Sequence, residues 1–82
     1  MKPSHNQPKA SLNTLGQLCP QPIIETAKKI KKMKKGDILE ILSDDWGMKL
    51  DLPAWCKMTG HKFIQILEEK NILRCLIQKN HS

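Results

Sequence analysis

Residues 19–43 read CPQPIIETAKKIKKMKKGDILEILS, and the change of period inside this stretch decides the fold. Pro20 and Pro22 lack backbone N–H groups and have fixed φ, so they suit a helix's first turn and no later one. Ile23, Ile24, Ala27, Ile30 and Met33 then recur at helical spacing as one apolar stripe. Lys28, Lys29 and Lys32 fall on the opposite face. Lys34 would fall inside the stripe, so the regular helix is expected to end near Met33, with Gly36 as its left-handed C-terminal residue. From Asp37 to Ser43 the helical period gives way to a run of branched apolar residues, the best strand in the chain.

Upstream, Ala10 to Leu15 alternates as a short strand, and Gly16-Gln17 leads into the Cys19 loop. Met1 to about Lys9 holds Pro3 and Pro8 without periodicity and is expected to be a disordered tail, residues 1–9, preceding one domain, residues 10–82. Downstream, Asp44-Asp45 reads as a turn and candidate helix N-cap. A second helix is expected over about Asp51 to Thr59, with Pro53 in its first turn and Gly60 ending it. His61 to Glu68 and Ile72 to Lys79 read as two strands joined by a tight turn near Lys70-Asn71.

The order is β-α-β-α-β-β, and strand–helix–strand units favour parallel pairing with a right-handed crossover. Two helices with one apolar stripe each can cover one face of a four-stranded mixed sheet and leave the other partly exposed. The expected architecture is therefore an α/β (α+β) two-layer sandwich. If the first two strands are parallel, their C-terminal ends share one sheet edge. The Cys19 loop then lies beside Asp44-Asp45-Trp46.

A chain of 82 residues is one small domain, which buries only about 60% of its unfolded surface. Tyr is absent, and Phe63, Trp46 and Trp55 are the aromatics, so the core must be mostly Ile, Leu and Met. Three cysteines, with no secretory signal and no dense disulfide framework, fit a reducing cytoplasm. No apolar run approaches the ~18 residues of a membrane span, so no membrane contact is expected. Six of the fourteen basic residues lie between Lys28 and Lys35 within a net charge of +6. That concentration permits an acidic partner, RNA or an anionic surface without requiring any of them.

Periodicity sorts the cysteines. Cys56 shares the stripe Leu52, Trp55, Cys56, Thr59, and Cys75 alternates in phase with Leu73 and Ile77, so both read as small buried hydrophobes. Cys19 belongs to no stripe. It stands at a helix start, where unpaired N–H groups and the dipole favour thiolate. It reads equally as an inert loop cysteine, since such a thiol is reactive only when also exposed. Lowering a thiol pKa from ~8.5 to ~7 raises the thiolate from roughly 3% to about half at pH 7. Falling nucleophilicity returns about fivefold of that gain, leaving a net increase of only about threefold to fourfold. A helix start is thus a weak engine for attack but makes sulfur a better leaving group, which suits a carrier more than a hydrolase.

At these residues the chain resembles the TusA/SirA-like family of small sulfur carriers. The resemblance runs through Leu12-Asn13-Thr14-Leu15-Gly16-Gln17-Leu18-Cys19-Pro20-Gln21-Pro22, then Lys35-Gly36-Asp37-Ile38-Leu39, Asp44-Asp45, Asp51-Leu52-Pro53, Gly60-His61 and Ile77-Gln78-Lys79. It implies that Cys19 accepts sulfane sulfur as a transient persulfide with no bound cofactor, and relays it in tRNA thiolation, cofactor sulfuration or sulfur oxidation. A cysteine desulfurase or rhodanese-like protein would be the donor, and another protein the acceptor. Two departures stand out. Asn13 replaces the family's usual Asp, and Trp46 replaces its frequent Pro after the two aspartates.

On this reading the chain is a cytoplasmic, monomeric sulfurtransferase-type carrier that works with partner enzymes. Cys19 bears the sulfur, Pro20 and Pro22 fix the helix start, and Gly16 gives the turn its freedom. Lys28, Lys29, Lys32 and Trp46 are candidate partner contacts. An exposed Trp46 would anchor a docked protein, while packing against helix ends is the competing role. The rival classes are a small RNA-binding module and a thiol-redox regulator. No aromatic interleaves the lysines as a base-stacking platform requires, so direct nucleic-acid binding is not expected. No Cys-x-x-C partner lies near Cys19, and no Cys/His pair has zinc spacing, so no metal is expected.

Overall fold

The computed structural model describes residues 8–18 and 20–81. Most of the expected tail, and Cys19 itself, therefore lie outside the described residues. Lys9, assigned to that tail, already donates its N–H to Ile38 O at 2.7 Å. The elements are β1 (Ala10–Asn13), α1 (Gln21–Lys31), β2 (Ile38–Ser43), α2 (Met48–Thr59), β3 (Lys62–Glu69) and β4 (Ile72–Gln78). The β-α-β-α-β-β order is the one read from the sequence.

The four strands form one mixed sheet in the order β1-β2-β4-β3. β1 and β2 run parallel, while β4 runs antiparallel to both β2 and β3. The last strand thus enters the middle of the sheet. Alternate residues of a strand point to opposite faces, so Leu39 and Ile41 of β2 and Leu73, Cys75 and Ile77 of β4 all face the helices. Met48, Leu52 and Cys56 of α2 and Ile30 of α1 close this core from above. Each fully buried Leu or Ile side chain contributes about 1.5–3 kcal/mol.

Both helices differ in detail from the sequence reading. On α1 the buried residues are Pro22, Thr26 and Ile30, while Ile24 is exposed. Thr26 can sit inside because its hydroxyl donates to Pro22 O at 2.8 Å, leaving its methyl to pack. α1 ends at Lys31, and Gly36 does not cap it; Gly36 has φ +94 in a separate turn. The carbonyls at the helix end go instead to Lys79, only 6% exposed, whose ammonium donates to Met33 O at 2.7 Å and Lys31 O at 3.4 Å.

α2 begins at Met48, three residues before the expected start, so Pro53 lies inside the helix. Its missing N–H removes one rung there. Neither aspartate supplies a side-chain N-cap, since Gly47 occupies that position. Gly60 ends the helix as expected, with φ +85. In β3 a bulge between Phe63 and Gln65 shifts the register against β4, which lets Phe63 and Ile66 both pack on the core.

Candidate functional site

Parallel pairing brings the ends of β1 and β2 to one edge of the sheet, as the sequence reading required. The β1–α1 loop is nailed there by Thr14, fully buried, whose N–H and hydroxyl both donate to Leu42 O at 2.8 and 2.6 Å. Asn13 Oδ1 accepts the Leu15 N–H at 2.9 Å. That turn needs only an acceptor oxygen, which an amide supplies as well as a carboxylate, so the exchange of Asp for Asn13 leaves it intact. Gly16 has φ +83, and its N–H donates to both Asp44 carboxylate oxygens at 3.2 and 3.1 Å. Asp44 therefore clasps the neighbouring loop instead of capping α2.

Beyond Gly16 the Gln17 N–H donates to Thr14 O at 3.1 Å, while Gln17 Oε1 is buried without a partner among the described residues. Leu18 is 76% exposed, and Pro20 is exposed on the far side of position 19. Pro20 takes the N-cap position of α1 without a side-chain cap, and Pro22 is the second helical residue. The helix start has few free donors: Gln21 N–H donates to Leu18 O at 2.9 Å and Ile23 N–H to Pro20 O at 3.1 Å. With both prolines lacking N–H groups, the unpaired donors expected to favour a thiolate are already taken. The dipole at the helix's positive end remains.

The other two cysteines are where periodicity places them. Cys56 and Cys75 are fully buried in the core, and burial pushes both thiols up to about 11. At pH 7 each is then only about one part in ten thousand thiolate, too little for exchange chemistry.

Trp46 is 47% exposed, two residues beyond Asp44, and Leu50 stands exposed about one turn further on. With Leu15 and Leu18 across the Gly16–Asp44 clasp, these residues put exposed apolar side chains on both loops of this edge and on the first turn of α2. The α1 lysines are not part of it. Lys28 lies 3.9 Å from Glu25, and Lys29 and Lys32 line a shallow cleft with Lys9 and Lys34, toward the opposite end of β1. Among the described residues no group of three His, Cys, Asp or Glu side chains is placed to hold a metal. No helix among them is long and apolar enough to cross a membrane.

The sequence pattern of sulfurtransferase TusA matches residues 10–79. The chain belongs to the sulfurtransferase TusA family. The putative sulfur carrier protein YrkI of Bacillus subtilis is 41% identical over 68 residues, covering 83% of this chain and 91% of the relative. The sulfur carrier protein TusA of Buchnera aphidicola is 41% identical over 63 residues, covering 77% and 80%. The putative sulfur carrier protein YrkF of Bacillus subtilis is 43% identical over 68 residues but longer, and this chain spans 37% of it. The crystal structure of a SirA-like protein from Desulfitobacterium hafniense has a TM-score of 0.75 over 88% of this chain and 99% of that one. At 20% identity it shows the same two-helix, four-stranded fold. The resemblance read from Cys19-Pro20-Gln21-Pro22 and its surroundings therefore holds, and TusA membership brings a sulfur-carrier role.

Three residues of the site escaped the sequence reading or were given another job: Thr14, Gln17 and Asp44. Thr14 and Asp44 act across 28 positions of chain, and no local pattern signals such a partner.

Proposed function

We propose that this protein accepts a sulfane sulfur on Cys19 and passes it to a protein acceptor. The observation that supports this most is the contrast in exposure. Leu18 and Pro20 stand in solvent on either side of position 19, whereas Cys56 and Cys75 are sealed in the core. In loading, the Cys19 thiolate attacks the terminal sulfur of a donor persulfide. A Cys19 S–S bond forms, the donor's S–S bond breaks, and the donor cysteine leaves as thiolate. Release to the acceptor repeats the exchange, with no net oxidant. A helix start suits this role because it stabilises sulfur as leaving group more than it accelerates attack.

The donor is a desulfurase or rhodanese-like protein in the cytoplasm, and proton handling belongs to the partner or to water. Trp46, with Leu15, Leu18 and Leu50, supplies the apolar surface on which such a partner closes. Lys28, Lys29 and Lys32 are secondary contacts further along α1 and just past its end.

Incubation with a cysteine desulfurase and cysteine, followed by intact mass measurement, tests the assignment. One reducible sulfur atom should be gained, lost in Cys19→Ser and retained in Cys56→Ser and Cys75→Ser. Sulfur carried mainly by Cys56 or Cys75 would overturn it. Trp46→Ala should slow loading by the protein donor about tenfold, as expected of an aromatic anchor. Loading by a small-molecule persulfide should be unchanged.

A further inference from the structure

On the helical layer, away from the Cys19 loop, lies a cleft of about 390 Å³. This volume is at the lower end of the range of small-molecule sites, about 300–1,000 Å³. One wall is a ladder of rings. Trp55 stacks on His61 with centroids 5.6 Å apart and planes at 28°, and His61 stacks on His81 at 4.4 Å and 9°. The rings are held in place by hydrogen bonds: Asn80 N–H donates to His61 Nδ1 at 3.2 Å, and His81 Nε2 lies 2.5 Å from Thr59 O. The facing wall is the apolar side of α1, Ala27 and Ile30.

The charge of the cleft is one-sided. Lys31 and Lys79 line it, and no aspartate or glutamate does. Lys79 is nearly buried and donates to Lys31 O and Met33 O, at and just beyond the end of α1. His61 feels the same field. Its pKa is lowered by burial first, then by the proximity of His81 and Lys79. An apolar slot with a stacked aromatic wall and ammonium groups at its rim is complementary to a flat hydrophobic body bearing a negative group. The fixed rings mean that little ordering is needed on binding.

We propose that this cleft is a second binding site, independent of sulfur transfer, for a planar aromatic carboxylate. The ring system lies between the Trp55–His61–His81 ladder and the Ala27–Ile30 side of α1. The carboxylate meets Lys31 and Lys79. Ala27 is six residues along α1 from Gln21, about 9 Å at 1.5 Å per residue, so the cleft lies beyond the first turn of α1.

The test is a titration of the whole chain with 2-naphthoate, followed by two-dimensional amide NMR. Saturable shifts are expected at Ala27, the Trp55 indole N–H, His61 and His81. Lys31→Glu, an exposed change, should weaken binding at least tenfold while Cys19 still loads sulfur at the normal rate. The uncharged 2-naphthalenemethanol should bind at least tenfold more weakly than 2-naphthoate. Ala27→Phe, which fills the slot from the helix side, should abolish the shifts and leave the β4 amides unmoved. Shifts centred on Leu18 and Trp46, equal binding of the uncharged analogue, or unchanged affinity in Lys31→Glu would each overturn the proposal. Loss of sulfur loading on Cys19 in the unmodified chain would count against the carrier assignment and leave this site untouched.

Discussion

The β1–α1 and β2–α2 loops leave the same edge of the sheet for the same helical layer, yet they differ in what holds them. The second closes on itself: Asp45 N–H donates to Ser43 Oγ at 3.1 Å, Gly47 N–H to Asp45 Oδ1 at 3.0 Å, and Met48 N–H to Asp45 O at 3.0 Å. The first opens its helix with Pro20 and Pro22 and exposes Leu15 and Leu18. It also borrows the Asp44 carboxylate from its neighbour through Gly16. Both loops are turned by their own hydrogen bonds, but the second is the scaffold, lending the carboxylate that holds its neighbour, and the first is a presented segment opened by prolines and tied to that scaffold. A sulfur that must be handed between proteins needs the presented arrangement. Under the proposed role, the exposed Leu15 and Leu18 leave that loop open to a partner, and the Asp44 clasp holds its turn in place beforehand.

The largest expected departure comes from cutting the connection between the two loops. Asp44→Ala should lower the rate of sulfur transfer from a protein donor about 10- to 100-fold through misplacement of the loop. Because the bond is exposed, stability should fall by only about 0.5–1 kcal/mol. Parallel kinetic and denaturant measurements decide this, and an unchanged transfer rate would break the scaffold–carrier distinction. Gly16→Ala comes next. A Cβ there meets nothing within 4 Å, so the penalty is that of the positive φ, about 1–2 kcal/mol. Urea unfolding should register that loss, together with slower transfer.

Ser43→Ala acts inside the scaffold loop. Ser43 is buried, and deleting its hydroxyl removes the oxygen that accepts the Asp45 N–H, at about 1 kcal/mol. Direct loading of Cys19 by a small persulfide should not change, and a change as large as that of Asp44→Ala would erase the difference between the loops. The smallest effect belongs to Asn13→Asp. The acceptor for Leu15 N–H is retained, so thermal stability should shift by less than about 0.5 kcal/mol. Asn13→Ala should cost more than Asn13→Asp, and the reverse order would show that the amide does something other than accept this bond.

Much of this comparison was legible before any coordinates. The prolines, the run of branched apolar residues in β2 and the i, i+3, i+4 spacing of Leu52, Trp55 and Cys56 are local signals, and each element they mark is present. The phase of β4 likewise identified Cys75 as buried. Thr26 was harder, because a threonine reads as polar until its hydroxyl is seen bonded to Pro22 O. The start of α2 was hidden for a related reason: the turn that launches it depends on Asp45 accepting from Gly47, while Pro53 suggested a later beginning. The rephasing of β3 so that Ile66 faces inward depends on a bulge, which strict alternation cannot show.

By itself, the sequence determined the order of elements, the two-layer class, the exclusion of two cysteines by burial and the family. All of these rest on periodicity or on contiguous motifs, so they survive reading one segment at a time. Only the tertiary structure decided that β4 takes the centre of the sheet, that Asp44 holds Gly16, that Lys79 closes α1 and that Trp55, His61 and His81 form one wall. Each of those joins residues distant in the chain, or selects one of several pairings of equal local merit. Such choices are made by the packing of the whole chain at once, and no short window contains them.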